Sequence, residues 1–143
     1  MPIVHRSVIV PHTIDQMFAL VNDIARYKEF VPYCVESSIH VQNDREIQAS
    51  LTLAAKGFKK SFTTHNQLIP YTEIILTLVD GPFKQFDGRW QFQSIDDASS
   101  KISLDLSFEF SSRMMAVLFG PVFQGVSTKL VDAFVSRAKE VYA

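Results

Sequence analysis

The C-terminal run from Ser112 to Tyr142 constrains the fold of this chain more than any other stretch. From residue 122 onward its apolar residues recur every three or four positions, which predicts an α-helix with one apolar face. About 20 residues at ~1.5 Å each make a rod of ~30 Å, the width of a small domain. Because strand patterns fill most of the preceding sequence, we expect a sheet to wrap around this helix. The apolar positions are Val122, Val126, Leu130, Phe134, Ala138 and Val141.

The sequence from residue 35 to residue 110 alternates apolar with polar residues, as antiparallel strands with one buried and one solvated face do. The alternation is strictest at residues 86–92 and 102–110, and the Asp-Gly-Pro at residues 80–82 marks one of the breaks between strands. In the first of these strands, Val35, Ile39 and Val41 are predicted to point inward.

Before these strands the chain has one more strand pattern and two short helical patterns. Ile3–Val10 is rich in β-branched residues and lies between Pro2 and Pro11, which predicts a first strand. Thr13 and Gln16 have the spacing of a capping box and predict a helix start, and Ile24–Phe30 predicts a second short helix.

These elements together predict an α+β helix-grip fold. It consists of a curved antiparallel sheet of about seven strands around a long C-terminal helix, with two short helices after the first strand. We expect residues 1–143 to form a single domain, since the chain has an ordinary domain length.

The side chains predicted on the inner face of the sheet are largely aromatic, and two interpretations of them stay open. In one, the rings fill the core, since each can bury ~150–250 Å². In the other, the sheet and helix do not close completely, and the rings line a cavity for an apolar ligand. Thr64 and Asn66 face the same side and can hydrogen-bond either a ligand or each other. The candidate ligand-binding residues are Phe62, Thr64, Asn66, Phe86, Trp90, Phe92, Phe108, Phe110, Phe123, Val126, Leu130 and Phe134.

The segment 113–121 is apolar on every side and precedes the predicted main helix. Gly120-Pro121 is expected to break or kink the chain, because proline lacks an N–H and clashes with the preceding helical turn. The segment is therefore either a short helix that caps the core or a mobile gate over the cavity, with peripheral membrane contact during ligand exchange. In the second case Met114–Phe119 forms a lid and Gly120-Pro121 its joint.

Composition and motifs argue against several classes of function. The net charge of -1, from 14 basic and 15 acidic residues, offers no general attraction to DNA. The basic cluster Lys56, Lys59 and Lys60 is interpreted as a solvated surface. Strand alternation alone places Lys60 on the inner face, where a lysine would lie at an open rim or beside a bulge. If the register slips, Lys60 lies on the surface instead. Because Cys34 is the single cysteine and the histidines lack ligand spacing, we predict no metal site.

We also predict no catalytic residues, since no phosphate loop, nucleophile elbow or inward acid–base pair can be assembled from the sequence. The N-terminal residues lack the pattern of a secretory signal, and the sequence lacks an uninterrupted apolar run of the ~18 residues that a transmembrane helix needs. A cytoplasmic protein without a transmembrane segment is therefore expected.

Three stretches match a known family: VDGPFKQFDGRWQF at residues 79–92, FTTHNQL at residues 62–68 and RAKEVY at residues 137–142. In combination they resemble the family of RatA-type ribosome-association toxins and coenzyme-Q-binding proteins. That family belongs to the START-like, Bet v 1-like superfamily, which also holds polyketide cyclases and dehydrases. The likeness runs over essentially the whole chain and implies a helix-grip fold.

The resemblance implies a non-enzymatic toxin of a toxin–antitoxin system that binds the large ribosomal subunit and blocks subunit association, hence translation initiation. It also implies an apolar cavity of the ubiquinone-binding type. One alternative is a ubiquinone or lipid chaperone that supports respiration without ribosomal action, and a lesser one is a cyclase- or aromatase-like enzyme. The implied partners are the large subunit, ubiquinone or a similar lipid, and an antitoxin protein; no cofactor is implied beyond such a bound apolar ligand.

Overall fold

The computed structural model describes residues 3–55 and 57–142 of the chain. Pro2, predicted to bound the first strand, and Lys56, predicted in the basic cluster, lie outside the described residues. The helical elements are α1 (Ile14–Asn22), a short 3-10 helix (Ile24–Glu29) and α2 (Arg113–Val141). The strands are β1 (Ile3–Val10), β2 (Cys34–Gln42), β3 (Glu46–Ala55), β4 (Phe58–Ile69), β5 (Glu73–Asp80), β6 (Phe83–Asp96) and β7 (Ser99–Phe110).

The seven strands form one antiparallel sheet in the order β1-β7-β6-β5-β4-β3-β2. Each strand from β2 to β6 pairs with the next one in sequence, and β1 pairs with β7, so α1 and the 3-10 helix connect the two edges of the sheet. The inward residues of β6 and β7 include Phe86, Trp90 and Phe108, all buried as the alternation predicts. The predicted fold class is confirmed, with α2 packed on the inner face of a curved sheet.

The start of α1 is fixed by the predicted capping box. The Thr13 hydroxyl accepts a hydrogen bond from the Gln16 backbone N–H at 3.2 Å, and the Thr13 backbone N–H donates to Gln16 Oε1 at 3.0 Å. Each side chain thus satisfies a backbone donor that the first helical turn leaves unpaired. The second predicted helix is a 3-10 helix of six residues, which ends at Glu29, one residue earlier than expected.

α2 runs without interruption for 29 residues and contains Pro121, so the chain does not break at Gly120-Pro121, and the kink expected as the alternative stays a prediction. The hydrogen bond that Pro121 cannot make would have gone to the carbonyl of Val117, and Val117 is 67% exposed, so water can satisfy that carbonyl. Buried residues on both sides of the proline, Phe119 and Phe123, pack on the sheet and stabilise one continuous helix. Local propensity is overridden by tertiary packing here.

By length and composition α2 also has the properties of a membrane-crossing helix, with a mean hydropathy of 1.4 over an 18-residue window. One third of that window, 33%, is buried inside the fold. A core helix with a long apolar face has the same properties, and α2 packs its apolar face on the sheet. The hydropathy of α2 is therefore weak evidence for membrane insertion.

The inward prediction for β2 is wrong at two positions, since Val35 is 47% and Val41 43% exposed. The pairing of β2 with β3 shifts register twice, between Cys34 and Glu36 and between Ile39 and Val41. Each such irregularity reverses the face to which the following residues point, because side chains alternate with a period of two. Alternation in a sequence cannot reveal these shifts.

One consequence of the β2 geometry is an unreactive thiol. Cys34 is buried, its Sγ lies 3.4 Å from the Glu36 carbonyl oxygen, and burial raises the pKa of the thiol to about 11. The reactive thiolate is then scarce at pH 8 and increases only as the pH rises toward that value. We expect a disulfide reagent such as 5,5′-dithiobis(2-nitrobenzoate) to label the native thiol at pH 8 on the order of 100-fold more slowly than the guanidinium-unfolded thiol. Equal rates in the two states would contradict this.

Candidate ligand cavity

A cavity of about 80 Å³ lies between the inner face of the sheet, the middle of α2 and the segment that joins α1 to β2. Its walls are mostly apolar, with Trp90 and Leu104 from the sheet and Val126 from α2. The volume is enough for a few water molecules, but it is smaller than the engineered protein cavity of ~150 Å³ that binds benzene. The inner face is therefore mostly filled, and the cavity is what the packing leaves open.

Eight of the twelve candidate ligand-binding residues line this cavity and four lie elsewhere in the core. The lining positions are Phe62, Thr64, Asn66, Phe86, Trp90, Phe123, Val126 and Leu130. The other four are Phe92, Phe108, Phe110 and Phe134, which pack against other aromatic rings. Ligand binding by the eight stays a prediction.

Phe134 shows why the helical period of the apolar residues does not by itself place a side chain in the cavity. Its ring centroid lies 5.3 Å from each of the rings of Tyr27, Phe30 and Trp90. These edge-to-face contacts fill the space between α2, the 3-10 helix and β6, so the side chain does not face the cavity. A residue on the correct face of a helix can still be covered by an element that sequence periodicity does not locate.

Towards the start of α2 the core is closed by interlocked aromatic rings, which we call the aromatic cluster. Ring centroids of neighbouring members lie 4.7–6.2 Å apart, the separation of offset and edge-to-face pairs. Phe119 is fully buried in this cluster, whereas Met114 and Val117 are 66% and 67% exposed, so the predicted lid 114–119 does not cover a cavity mouth. The members are Phe58, Phe62, Phe83, Phe86, Phe108, Phe110, Phe119 and Phe123.

Most polar groups on the cavity wall already have partners. The Thr64 hydroxyl donates to Asn66 Oδ1 at 2.8 Å, which is the mutual pairing that the sequence allowed. The Ser127 hydroxyl donates to the Phe123 carbonyl one turn earlier at 2.8 Å, and the Tyr27 hydroxyl donates to the Val21 carbonyl. These bonds leave few polar groups free to orient a ligand.

Asn22, the last residue of α1, differs from these groups. Its Oδ1 atom is buried and has no hydrogen-bond partner among the described residues. The sequence did not indicate Asn22, nor the neighbouring lining residues Val21, Ile24, Tyr27 and Val31, because they belong to the short helices rather than to the sheet or α2. The apolar face of α1 was the signal that could have placed this segment against the cavity.

The cavity has no acid–base pair on its wall. Among the described lining residues the titratable side chain is Tyr27, and burial, followed by the nearby Cys34 and Asp23, raises the pKa of its hydroxyl far above the ordinary range. A neutral phenol that already donates to a backbone carbonyl is a poor proton-transfer group at neutral pH. Lys60 lies exposed at the start of β4, and the register of β3 with β4 shows no shift there.

Residues 10–135 match the family described as polyketide cyclase / dehydrase and lipid transport. Among curated proteins, the chain is 46% identical to the ribosome association toxin RatA of Vibrio cholerae over 139 residues, which is 97% of this chain and 96% of that protein. It is 38% identical to RatA of Escherichia coli K12, over 100% of this chain and 90% of the relative. A more distant relative, the mitochondrial coenzyme Q-binding protein coq10 of Schizosaccharomyces pombe, is 22% identical over 93% of this chain and 84% of that protein.

Solved structures of low sequence identity share the fold. The Zhui aromatase/cyclase of Streptomyces sp. R1128 superposes with a TM-score of 0.85 at 15% identity, covering 99% of this chain and 96% of that one. A START superfamily protein of Mycobacterium smegmatis gives a TM-score of 0.77 at 19% identity, covering 97% and 98% of the two chains. At such identities the likeness establishes the architecture alone.

Proposed function

This chain belongs to the polyketide cyclase / dehydrase and lipid transport family, and within it to the group of relatives named ribosome association toxin RatA, and from this we propose its function. It acts as a non-enzymatic, cytoplasmic toxin that binds the large ribosomal subunit and blocks its association with the small one. The observation that carries the proposal is the 46% identity to a RatA protein over 97% of the chain.

The chemistry of the cavity supports a role other than catalysis. An acyl-transfer, cyclisation or dehydration reaction needs an acid or base within reach of its substrate. The titratable group on the described cavity wall is Tyr27, which is buried, neutral and already hydrogen-bonded. The cyclase-like alternative therefore has no suitable acid or base on the described cavity wall.

We expect the purified protein to reduce formation of whole ribosomes from dissociated subunits in a dose-dependent way. The measurement is a sucrose gradient after magnesium is restored, with an equal amount of heat-unfolded protein as the control. Docking on the large subunit should be visible as co-migration with that subunit when the small one is omitted. An unchanged gradient profile at a molar excess of protein over subunits would refute the ribosomal role.

A second candidate function is favoured by the distant coq10 relative and by the apolar cavity wall. In this alternative the protein is a chaperone for ubiquinone or a similar lipid and supports respiration without acting on ribosomes. A deletion strain separates the two functions, since it would then lose respiratory capacity while its subunit profile stays normal. Analysis of lipids extracted from the native protein by mass spectrometry tests for a bound quinone in either case.

Two further partners stay predictions. An antitoxin protein is expected from the toxin proposal. Peripheral membrane contact would use the exposed apolar residues at the start of α2, namely Met114, Val117 and Leu118, and would be independent of ligand exchange. A flotation assay with anionic vesicles would test the latter.

A further inference from the structure

We propose that the cavity opens to the surface past Asn22, at the end of the fold opposite to the start of α2, and that Asn22 Oδ1 accepts a hydrogen bond from the hydroxyl of a quinol-type ligand. The inference rests on the quinone-binding part of the proposed function and specifies its entrance, its anchoring group and the redox form that it favours.

Asn22 lies on the wall between two spaces. On one side is the internal cavity of about 80 Å³, and on the other is a surface groove of about 940 Å³. The groove is formed by α1, the 3-10 helix, the β2–β3 and β4–β5 turns and the end of α2, and Asn22 is the residue that lines both spaces. The cavity also shares Leu76 and Leu106 with a surface depression beside Asp87 and Arg89, but both leucines lie in paired strands, so the way from solvent to the cavity that leaves the sheet intact passes Asn22.

The opposite end of the cavity offers no comparable way in. There the aromatic cluster separates the cavity from the first turns of α2, and its central ring, Phe123, lies 4.7 Å from Phe108 and 4.9 Å from Phe83. Opening a passage through that end would separate several buried aromatic pairs, each of which adds stability beyond the area that it buries. The end at Asn22 is bounded by a short 3-10 helix instead.

The 3-10 helix is the shortest element of the cavity wall, and Ser37 of β2 holds it by accepting from the Lys28 N–H and donating to the Ala25 carbonyl. It has only six residues, and the residue before it, Asp23, makes no side-chain capping bond. A ring larger than the present cavity must displace some wall, and the other walls are the hydrogen-bonded strands of the sheet and a 29-residue helix. Short 3-10 segments have poorer hydrogen-bond geometry than α-helices and often mark hinges.

One ion pair holds this segment against α2. Arg137 Nη2 lies 2.8 Å from Glu29 Oε1, and the Arg137 guanidinium lies 5.0 Å from the centre of the Phe30 ring. Glu29 is the last residue of the 3-10 helix, and the Arg137 side chain is only 17% exposed. The pair therefore joins the 3-10 helix, which separates the groove from the cavity, to α2.

The unpaired atom at the neck defines the ligand chemistry. A buried carbonyl oxygen without a partner is costly, and an amide oxygen can be satisfied only by a donor. A quinol presents two phenolic O–H donors on a flat apolar ring, whereas the oxidised quinone presents only acceptors. The aromatic walls at Trp90 and Phe86 suit such a ring, and the groove outside has room for an isoprenoid tail.

The test is anaerobic calorimetric titration with ubiquinol-1 and with ubiquinone-1. We expect the native protein to bind ubiquinol-1 about tenfold more tightly than ubiquinone-1, and Asn22→Leu to lose about tenfold in ubiquinol-1 affinity without a lower thermal midpoint. The thermal midpoint should hold because leucine removes an unsatisfied buried atom. Gln42→Leu is the matched control, since Gln42 lines the groove but not the cavity, and its affinities should equal those of the native chain.

A kinetic arm tests the same entrance without changing Asn22. Stopped-flow fluorescence of Trp90, the single tryptophan, should show ubiquinone-1 entering and leaving Glu29→Gln several-fold faster than the native protein at an unchanged equilibrium constant. Glu140→Gln is the control, since Glu140 lies 3.8 Å from Arg137 on α2 itself and does not connect it to the 3-10 helix.

The outcomes separate the inference from the proposed function. Quinol binding that is insensitive to Asn22→Leu, or exchange rates that do not change in Glu29→Gln, would overturn the inference and leave the quinone-binding function standing. Absence of binding by the native chain to both compounds would overturn the inference together with the quinone-binding function. The ribosomal role would be unaffected by either result, because the sucrose gradient tests it separately.

Discussion

Replacing Phe123 with alanine is expected to lower the free energy of unfolding by about 3–5 kcal/mol, because it removes the ring around which the aromatic cluster packs. Phe123 is 3% exposed and its ring contacts Phe62, Phe83 and Phe108 at centroid distances of 5.8, 4.9 and 4.7 Å. Truncation leaves a void that the surrounding rings cannot fill without leaving their rotamers. For a domain of this size the loss corresponds to a fall in the thermal midpoint of about 10 °C or more.

Met114→Ala is the matched control, since Met114 lies on the same helix and is 66% exposed. Its thermal midpoint should stay within about 2 °C of the native value. The Phe123 variant has a second expected property, because Phe123 also lines the cavity and its removal enlarges it. Benzene or indole should then raise the thermal midpoint of Phe123→Ala but not that of the native chain. A variant as stable as the native chain would show that the cluster is loosely packed.

Replacing Gly81 with alanine is expected to destabilise the fold by about 3 kcal/mol, although it adds a single carbon atom. Gly81 has a φ of +154°, a conformation that residues with a side chain rarely adopt, and an added Cβ would lie 2.7 Å from the Cβ of Phe62. Phe62 Cβ cannot rotate away because it is bonded directly to the backbone of β4. The strand must therefore move, and with it a ring of the aromatic cluster.

Gly57→Ala separates the two contributions. Gly57 also has a positive φ, +79°, but no described atom lies within 4 Å of an added Cβ. This variant should lose only the backbone term, about 1 kcal/mol. Urea unfolding of both variants measures the difference, which is the cost of the collision with Phe62. Equal losses in the two variants would show that the β5–β6 turn adjusts freely.

The strands were predictable because their residues are half buried. Along β6 and β7 one face meets α2 and the other meets water, so apolar and polar residues alternate and positions such as Phe86, Trp90 and Phe108 could be placed inward. Thr13 could be placed at a helix start for a different reason, since a capping box is a local hydrogen-bond pattern and does not depend on the rest of the fold.

The errors fall where long-range packing overrides a local rule. Pro121 is a helix breaker by itself, but Phe119 and Phe123 on either side of it are held by the sheet, so the helix continues. Val35 and Val41 fit the alternation, but two register shifts in the pairing of β2 with β3 turn them outward. Neither effect has a signal within a window of ten residues.

The residues of the candidate site were only partly predictable for the same reason. The periods of strands and helices identify which side chains face inward, and they placed Phe62, Thr64, Asn66 and Trp90 on the cavity wall. They do not show which inward rings touch one another and which leave space, so Phe92 and Phe134 were assigned to the same wall.

What the sequence by itself determined is the architecture, because burial on one face imposes a period of two on strands and about 3.6 on helices, and both periods can be read without knowing the partner. What only the tertiary structure decided is where the core is left open. An 80 Å³ cavity is a small difference between large packed volumes, and its neck at Asn22 depends on how α1 and the 3-10 helix meet the sheet. Periodicity records which face of an element is buried, whereas a cavity depends on the three-dimensional distances between elements.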